Sequence, residues 1–475
     1  KFTGFASKVL PLEADFLEYF QKFEDLEKQS ILNNIIRQAK NGSNVDFETT
    51  VDKRKYSYVK TWCEQLLQNL DVDYNLERLL NWEKQIMTDS LSIKDDKELL
   101  KLFSKTNSFK FKFFVLSINS SDFNFLKIYE IGRYYRHYLQ IRLRYKDYQL
   151  IHQFLQKYRT DYEFSRLVND KLHETTNEII TDYSQKSSVT SHDSLTWLAT
   201  LFYNENLDGY NRLLAWVRII FIAHNKRQYD SLAEMFIHFE TLIGSGKLYS
   251  RRIITNFYSQ YLLYYAAKRD FVKAANYGYL SIKEKNNDYL YYINNLAAVL
   301  LRAQRPGEAL DVLKESNTVA KESLNFHNRI GHVAYHIFGL IDSGKSKQAE
   351  NQAFVFLTAF KKEILENRWH LFFTAYIKAM LLNGNYAGVL KVNNHFRLKD
   401  RDLKYRESAN YSASIPWMCQ LAMYKNGDAT LVSLLAVLSE LKTINIKYYN
   451  TNITQDDLLA LTKVVLKDDF VKLGL

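Results

Sequence analysis

The sequence predicts an all-α fold, an α-solenoid of stacked antiparallel helical hairpins with helical extensions at both ends. The chain of 475 residues contains only 3 Pro and 15 Gly, whereas β-rich and α/β proteins of this length need many more turn breakers. Apolar residues recur at helical spacing along most of the chain. A hairpin pattern also returns at intervals of 35 to 42 residues, and such units bury their apolar faces by stacking in a row.

The clearest hairpin spans Asn295–Ser316. Its first helix carries an apolar stripe that includes Ala297, the segment Arg305–Gly307 interrupts this stripe, and a second stripe starts at Ala309. Small residues allow two helix axes to approach closely where they cross. Pro306 begins the second helix, where its missing N–H costs nothing.

The same arrangement recurs four more times along the chain. The residues equivalent to Ala309 are Leu232, Ala274, Ala349 and Val389, with separations of 42, 35, 40 and 40 residues in chain order. Each of them follows an apolar residue by twelve positions, and these partners are Ile220, Leu262, Ile337 and Ile377. The intervals are long for a helical hairpin, so we expect extra residues in helices or loops.

This spacing resembles the tetratricopeptide repeat, in which a small or apolar residue precedes an alanine by twelve positions with a turn between them. The resemblance is clearest from about Leu213 to Phe396 and implies a right-handed superhelix. In the best-known peptide-binding members, Lys and Asn from successive first helices clamp a terminal carboxylate. The corresponding positions here hold Ser259 and Leu263, Asn294 and Ala298, Ala334 and Phe338, and Thr374 and Lys378, so this clamp is missing.

The concave face of such a superhelix is the candidate binding groove. Its predicted lining includes Asn256, Tyr291, Asn294, Arg302 and Lys378 among apolar neighbours. This mixture favours a helix or an extended apolar segment as the ligand, and the first hypothesis is therefore a non-enzymatic scaffold that binds a protein or peptide. The alternative is that these residues pack against the next repeat. A peptide-sensing regulatory domain is a further alternative.

Charge supplies a competing hypothesis, an RNA- or DNA-binding helical repeat protein. The net charge is +11, and basic residues are densest in Gly132–Tyr148. As one helix, this segment places tyrosines on one stripe and arginines on another, which is the chemistry of base stacking and phosphate contact. The candidate residues are Arg133, Arg136, Tyr138, Arg142, Arg144 and Lys146. Arginine stems covering a core predict the same pattern.

The repeat phase divides the chain into four regions. Residues 1–120 form an N-terminal helical region, a cap or diverged hairpins, and 121–190 is a second helical region in which diverged repeats are an alternative. The repeat array occupies 195–440 and a C-terminal capping helix occupies 441–475. Gln185–Ser194 is the expected linker, and Lys110–Ile118 is expected to be helical because an isolated strand would leave open edges.

Motifs of catalysis are missing from the sequence: it contains no glycine-rich phosphate loop, HExxH motif, nucleophile elbow or paired-cysteine metal motif. His332 and His336 share a helix face, but a third metal ligand is not in reach, so we expect them to pack. We therefore expect no enzyme activity, no cofactor and no metal. The sequence also lacks an apolar run of membrane-spanning length and a signal-peptide core, which favours a cytoplasmic protein without membrane contact; it leaves the oligomeric state open.

Overall fold

Every regular element that the structure describes is a helix, which confirms the all-α prediction. The computed structural model describes residues 2–42, 52–107, 122–185, 192–226, 228–406, 411–445 and 453–473. Within these ranges no strand is formed. The predicted helix at Lys110–Ile118 and most of the predicted linker at Gln185–Ser194 lie outside the described residues. The chain divides into two compact units, Lys1–Asn256 and Phe257–Leu475.

The first unit contains twelve described α-helices and the start of a thirteenth. They are α1 (Phe2–Ala6), α2 (Pro11–Phe20), α3 (Leu26–Asn41), α4 (Lys53–Leu70), α5 (Val72–Met87), α6 (Ile93–Asn107), α7 (Phe125–Ile141), α8 (Tyr145–Lys157), α9 (Arg159–Gln185), α10 (His192–Tyr203), α11 (Gly209–Lys226), α12 (Ala233–Gly244) and α13 (Arg251–Ala267). Short capped turns separate many of them: the Asp71 carboxylate, for example, accepts hydrogen bonds from the first N–H groups of α5.

A buried carboxylate connects the second helix of this unit to the start of its last helix and the residues just before it. Glu13 on α2 is fully buried, and its Oε1 accepts hydrogen bonds from Tyr249 Oη and Arg251 Nε, both at 2.9 Å. Its Oε2 accepts the backbone N–H of Leu10 at 2.9 Å. A buried charge is stable only when it is paired and hydrogen-bonded, as this one is. Glu13 therefore holds two segments together that lie more than 230 residues apart in the sequence.

The second unit continues with helical pairs. In the middle of the unit, three of these pairs are each followed by a short additional helix. The helices are α14 (Phe271–Ser281), α15 (Tyr289–Arg302), α16 (Pro306–Glu315), α17 (Asn317–Glu322), α18 (Phe326–Asp342), α19 (Ser346–Ala359), α20 (Lys361–Glu366), α21 (Trp369–Leu382), α22 (Tyr386–Phe396), α23 (Leu398–Tyr405), α24 (Ser414–Asn426), α25 (Leu431–Asn445) and α26 (Gln455–Leu466). The additional helices α17 and α20 lie within the two 40-residue intervals between Ala309 and Val389, and α23 follows Val389.

One turn geometry recurs between paired helices, five times among the described residues of this unit. A residue with left-handed backbone ends each first helix, with φ between 58° and 88°; these residues are Arg269, Gln304, Gly344, Gly384 and Gly427. The N–H of the following residue then donates to the carbonyl five residues earlier, as Lys345 does to Leu340 at 2.8 Å. This is the Schellman arrangement, which satisfies the last carbonyls of a helix. Each pair is therefore turned back in the same way.

The residues that defined the repeat pattern all lie in the core. Ala309 and Ala297 are fully buried, and so are their counterparts in this unit: Leu262, Ala274, Ile337, Ala349, Ile377 and Val389. The pattern weakens after Val389 because two extra residues follow the turn at Gly427 before α25 begins. The buried residue equivalent to Ala309 is consequently Leu434, seven positions after the turn residue instead of five.

Contacts between helices follow chain order. The first helices touch in series, α15 with α18, α18 with α21, and α21 with α24. The second helix of each pair packs on the next first helix: α14 on α15, α16 on α18, α19 on α21, and α22 on α24. The helices α15, α18, α21 and α24 thus lie side by side, and the surface they form is called the first-helix face below.

Candidate functional site

Four of the five predicted groove residues belong to helices of the first-helix face. Tyr291, Asn294 and Arg302 lie on α15, and Lys378 lies on α21. Asn256 lies in the other unit, at the last residue before the boundary. The structure gives these side chains different roles, which the sequence pattern does not distinguish.

Asn294 is a buried residue that links two helices, not an exposed contact residue. Its side chain is 2% exposed, and its Nδ2 donates a hydrogen bond to the carbonyl oxygen of Asn328 on α18 at 2.8 Å. This bond joins two neighbouring first helices. A bulky or charged substitution at Asn294 would therefore disturb the fold together with any binding.

Arg302 and Lys378 both meet carboxylates of the same unit. Arg302 Nη1 lies 2.6 Å from Asp457 Oδ2, which belongs to the C-terminal helix α26. Lys378 Nζ lies 3.3 Å from Asp342 Oδ1 and 5.6 Å from the centre of the Phe338 ring. These cations are partly screened by their partners, so their availability to a ligand depends on whether those ion pairs open.

Arg368 is the cation on this face that sequence analysis missed. The residue is half-buried just before α21, and its guanidinium lies over Gly331 of α18, in the space that a Cβ would occupy. Asn294 Nδ2 lies 3.1 Å from the same point. No hydrogen bond or ion pair joins the guanidinium to a carboxylate within the part of the chain that the structure describes. The Arg368 side chain is thus oriented by packing, with its charge left to attract an anion.

The surroundings of Arg368 carry polar side chains from two first helices. Burial raises the pKa of the Tyr291 hydroxyl, and the nearby Arg368 charge acts in the opposite direction. Partial burial and, secondarily, the Arg368 charge lower the pKa of His327. An arginine beside neutral hydrogen-bonding groups can bind a carboxylate in two-point geometry. The signal for this site in the sequence is Gly331, because glycine inside a helix is unfavourable unless another group needs the space.

The C-terminal helix α26 covers another part of the same face. It contacts α21 and α24, and Asp457 in its first turn reaches Arg302 of α15. Trp417 Nε1 on α24 donates to Thr462 Oγ1 on α26 at 2.9 Å, with both groups buried. Helix α26 begins with a capping box, in which Thr454 and Asp457 exchange hydrogen bonds. Three first helices therefore interact with one short helix at the end of the chain.

The histidines that share a helix face are bonded to protein groups. His332 is buried, with its Nε2 at 3.0 Å from the Leu313 carbonyl and 3.1 Å from Ser316 Oγ. His336 Nδ1 lies 2.7 Å from Gln352 Oε1. Both rings connect α18 to an adjacent second helix. Burial lowers the pKa of His332 to about 4, so its ring stays neutral near neutral pH.

The two cysteines are buried thiols. Burial raises the pKa of both Cys63 and Cys419 to about 12, which keeps them protonated and weakly nucleophilic. Within the described ranges, no group of three or more His, Cys, Asp or Glu side chains is placed to hold a metal ion.

The basic segment Gly132–Tyr148 is two helices rather than one. Helix α7 ends at Ile141, Leu143 has left-handed backbone with φ of 58°, and α8 begins at Tyr145. The turn has the same hydrogen-bond pattern as those of the second unit, with Arg144 N–H donating to the Leu139 carbonyl at 3.1 Å. The predicted continuous stripes of tyrosine and arginine are therefore interrupted.

The predicted nucleic-acid contacts are partly engaged within the protein. Arg142 forms an ion pair with Asp89 and lies over the Tyr138 ring, 3.6 Å from its centre. Arg144 binds both oxygens of Asp96 at 2.8 and 2.9 Å. Of the remaining candidates, Arg136 lies 3.2 Å from a ring nitrogen of His152, whereas Arg133 and Lys146 are exposed. Two of the five cationic candidates thus face carboxylates instead of solvent.

Comparisons with protein-family models, with curated proteins and with solved structures give no match for this chain. Among the helices that the structure describes, none has the length and apolar character needed to cross a membrane.

Proposed function

We propose that the protein is a non-enzymatic scaffold that holds a segment of another protein on the first-helix face of its second unit. The observation that carries this proposal is Arg368, a half-buried cation positioned over Gly331 and facing no described carboxylate. Partly buried charges are stable when an opposite charge meets them. A carboxylate from a bound protein segment would supply that charge.

The repeated packing supports the same function. A tetratricopeptide-like α-solenoid has three features that this unit shares. Its helical pairs have one turn geometry, its first helices touch in series, and the residues of the twelve-residue spacing are buried. We infer this architecture for the second unit, with a right-handed superhelical twist. Its first helices then line the concave side, where side chains from several repeats reach one ligand together.

The test is purification of the full chain from its source cells, with and without nuclease and at low and high salt. We expect a protein partner that survives both treatments. Arg368→Glu should reduce its recovery at least about tenfold, since it replaces attraction by repulsion at a desolvated contact. Lys347→Glu is the matched control, because it makes the same charge change at an exposed residue of the second helix α19.

A second variant distinguishes loss of partner binding from loss of folding. Gly331→Ala would push the flexible end of the Arg368 side chain aside without changing charge, while Asn294 Nδ2, 3.1 Å from the new Cβ, would need to shift only slightly. Full recovery of the partner by folded Arg368→Glu and Gly331→Ala chains would contradict the proposal. Nucleic acid that co-purifies and is lost at high salt would instead favour binding through Arg133 and Lys146.

A further inference from the structure

The C-terminal helix α26 has the chemistry of a ligand for the first-helix face. Its inward side carries buried residues at helical spacing: Leu458, Leu461, Thr462, Val465 and Leu466. Its outward side carries the exposed Asp456, Lys463 and Val464. This is the pattern by which an amphipathic helix binds an apolar groove.

The acidic first turn of α26 matches the charge of the surface beneath it. The carboxylate of Asp457 lies 2.6 Å from the Arg302 guanidinium. Burial raises the pKa of Asp457, but the Arg302 charge and hydrogen bonds from Thr454 and Arg302 outweigh this effect, so the pKa is lowered overall. Elsewhere on the first-helix face, Lys378 on α21 and Arg368 just before that helix add further cations. The face therefore favours a helix with a carboxylate near its N-terminus.

The way α26 is attached makes it separable from the repeats. It is 12 residues long, and a helix of this length is marginal in water without packing. Its polar links to the other helices include the Arg302–Asp457 pair and the bond from Trp417 to Thr462. Removal of α26 would leave the turns and the series of contacts among α15, α18, α21 and α24 in place.

We propose that α26 is an internal occupant of the first-helix face, and that the partner is an amphipathic helix with an acidic first turn that binds by displacing α26. This inference rests on the proposed scaffold function and specifies its ligand. A helix from another protein competes with α26 for the same surface. The apparent dissociation constant of the partner is therefore its intrinsic value divided by the fraction of molecules in which α26 is undocked.

The experiment uses the full chain and a fluorescent peptide with the sequence of residues 453–473. In Leu461→Asp, a charge replaces a buried leucine of α26, which should undock the helix while leaving the face intact. Val464→Asp is the matched control, because it makes the same kind of change on the exposed side of the same helix. We expect Leu461→Asp to bind the peptide at least about tenfold more tightly than the parental chain or Val464→Asp.

Charge reversal then tests the orientation of the bound helix. Arg302→Glu in the Leu461→Asp chain should weaken binding of the peptide, and a peptide carrying Asp457→Lys should restore it. Equal peptide binding by the parental chain, Leu461→Asp and Val464→Asp would overturn the proposal, provided that circular dichroism shows all three chains to be helical.

Amide hydrogen exchange of the parental chain gives a result that needs no variant. A displaceable α26 should exchange faster than α21 and α24, because it opens as a separate unit. Exchange of α26 only together with α21 and α24 would identify it as a permanent cap and overturn the inference.

Partner binding distinguishes this inference from the scaffold function on which it rests. A partner that binds the parental chain and Leu461→Asp equally well would overturn the inference and leave the scaffold function intact. Absence of any protein partner would count against the scaffold function itself.

Discussion

The guanidinium of Arg302 and the carboxylate of Asp457 lie 2.6 Å apart although 155 positions separate them in the sequence. This pair joins the C-terminal end of α15 to the first turn of α26. It places the last described α-helix of the chain against the surface that we propose for partner binding. The pair is partly exposed, so its strength depends on pH and on salt.

Protonation of Asp457 should loosen α26. The folded state lowers the pKa of this carboxyl below its ordinary value of 3.8, so the stabilisation is present above pH 3.8 and is lost as the pH falls through the lower folded value. Asp457→Asn should speed the hydrogen exchange of α26 at neutral pH. The stability difference between this variant and the parental chain should vanish on acidification; a difference that persists at pH 2 would show that Asp457 acts through shape instead of charge.

The buried Glu13 should be important for the stability of the first unit. Glu13→Gln weakens hydrogen bonds from Tyr249 and Arg251 to a charged acceptor. We expect the free energy of unfolding to fall by about 2–3 kcal/mol in urea titrations. Glu18→Gln, on the exposed side of the same helix, should change it by less than about 1 kcal/mol. Equal effects of the two substitutions would refute a special role for Glu13.

Replacement of Gly278 should destabilise the protein because side chains of two neighbouring helices pack against its Cα. A Cβ there would lie 2.7 Å from side-chain atoms of Leu262 and Leu296, both fully buried. Overpacking costs about 1–3 kcal/mol, and the higher helix propensity of alanine offsets about 1 kcal/mol of this cost, so Gly278→Ala should destabilise the protein by up to about 2 kcal/mol. Gly307→Ala has open space around it and should stabilise by up to about 1 kcal/mol. Thermal unfolding of both variants measures the contrast.

His332 should make stability fall in mildly acidic solution. Its folded pKa of about 4 lies below its ordinary value of 6.5, so the unfolded chain binds a proton in this interval and the folded chain does not. Its contribution is complete above pH 6.5 and declines toward pH 4, by about 3 kcal/mol in total. His332→Gln should flatten the stability profile over this range. An unchanged slope in the variant would assign the pH dependence to other groups.

The helical pairs were predictable because their signals are local. Breakers such as Arg305–Gly307 and the twelve-residue spacing of Ala297 and Ala309 both act within one hairpin. The turn at Leu143 escaped prediction because no glycine or proline marks its left-handed residue. The predicted stripe of tyrosines along Gly132–Tyr148 is therefore interrupted, and the structure leaves Tyr134 and Tyr145 exposed.

The candidate site was predicted less well because it depends on contacts between repeats. Asn294 was placed on the correct helix, but its burial against Asn328 follows from the neighbouring helix. The Arg302–Asp457 pair and the position of Arg368 over Gly331 also arise only when distant segments pack. A sequence pattern gives the face of a helix and not the partner on that face.

Photo-crosslinking from defined positions tests the central claim most directly. A benzophenone amino acid can replace Tyr291 on the first-helix face, Phe354 on the second helix α19, or Tyr145 in the basic segment of the first unit, each an aromatic residue that is at least partly exposed. The scaffold function predicts that a protein partner is crosslinked from position 291 and not from 354 or 145. Crosslinks from 354 or 145 with none from 291 would contradict binding at the first-helix face.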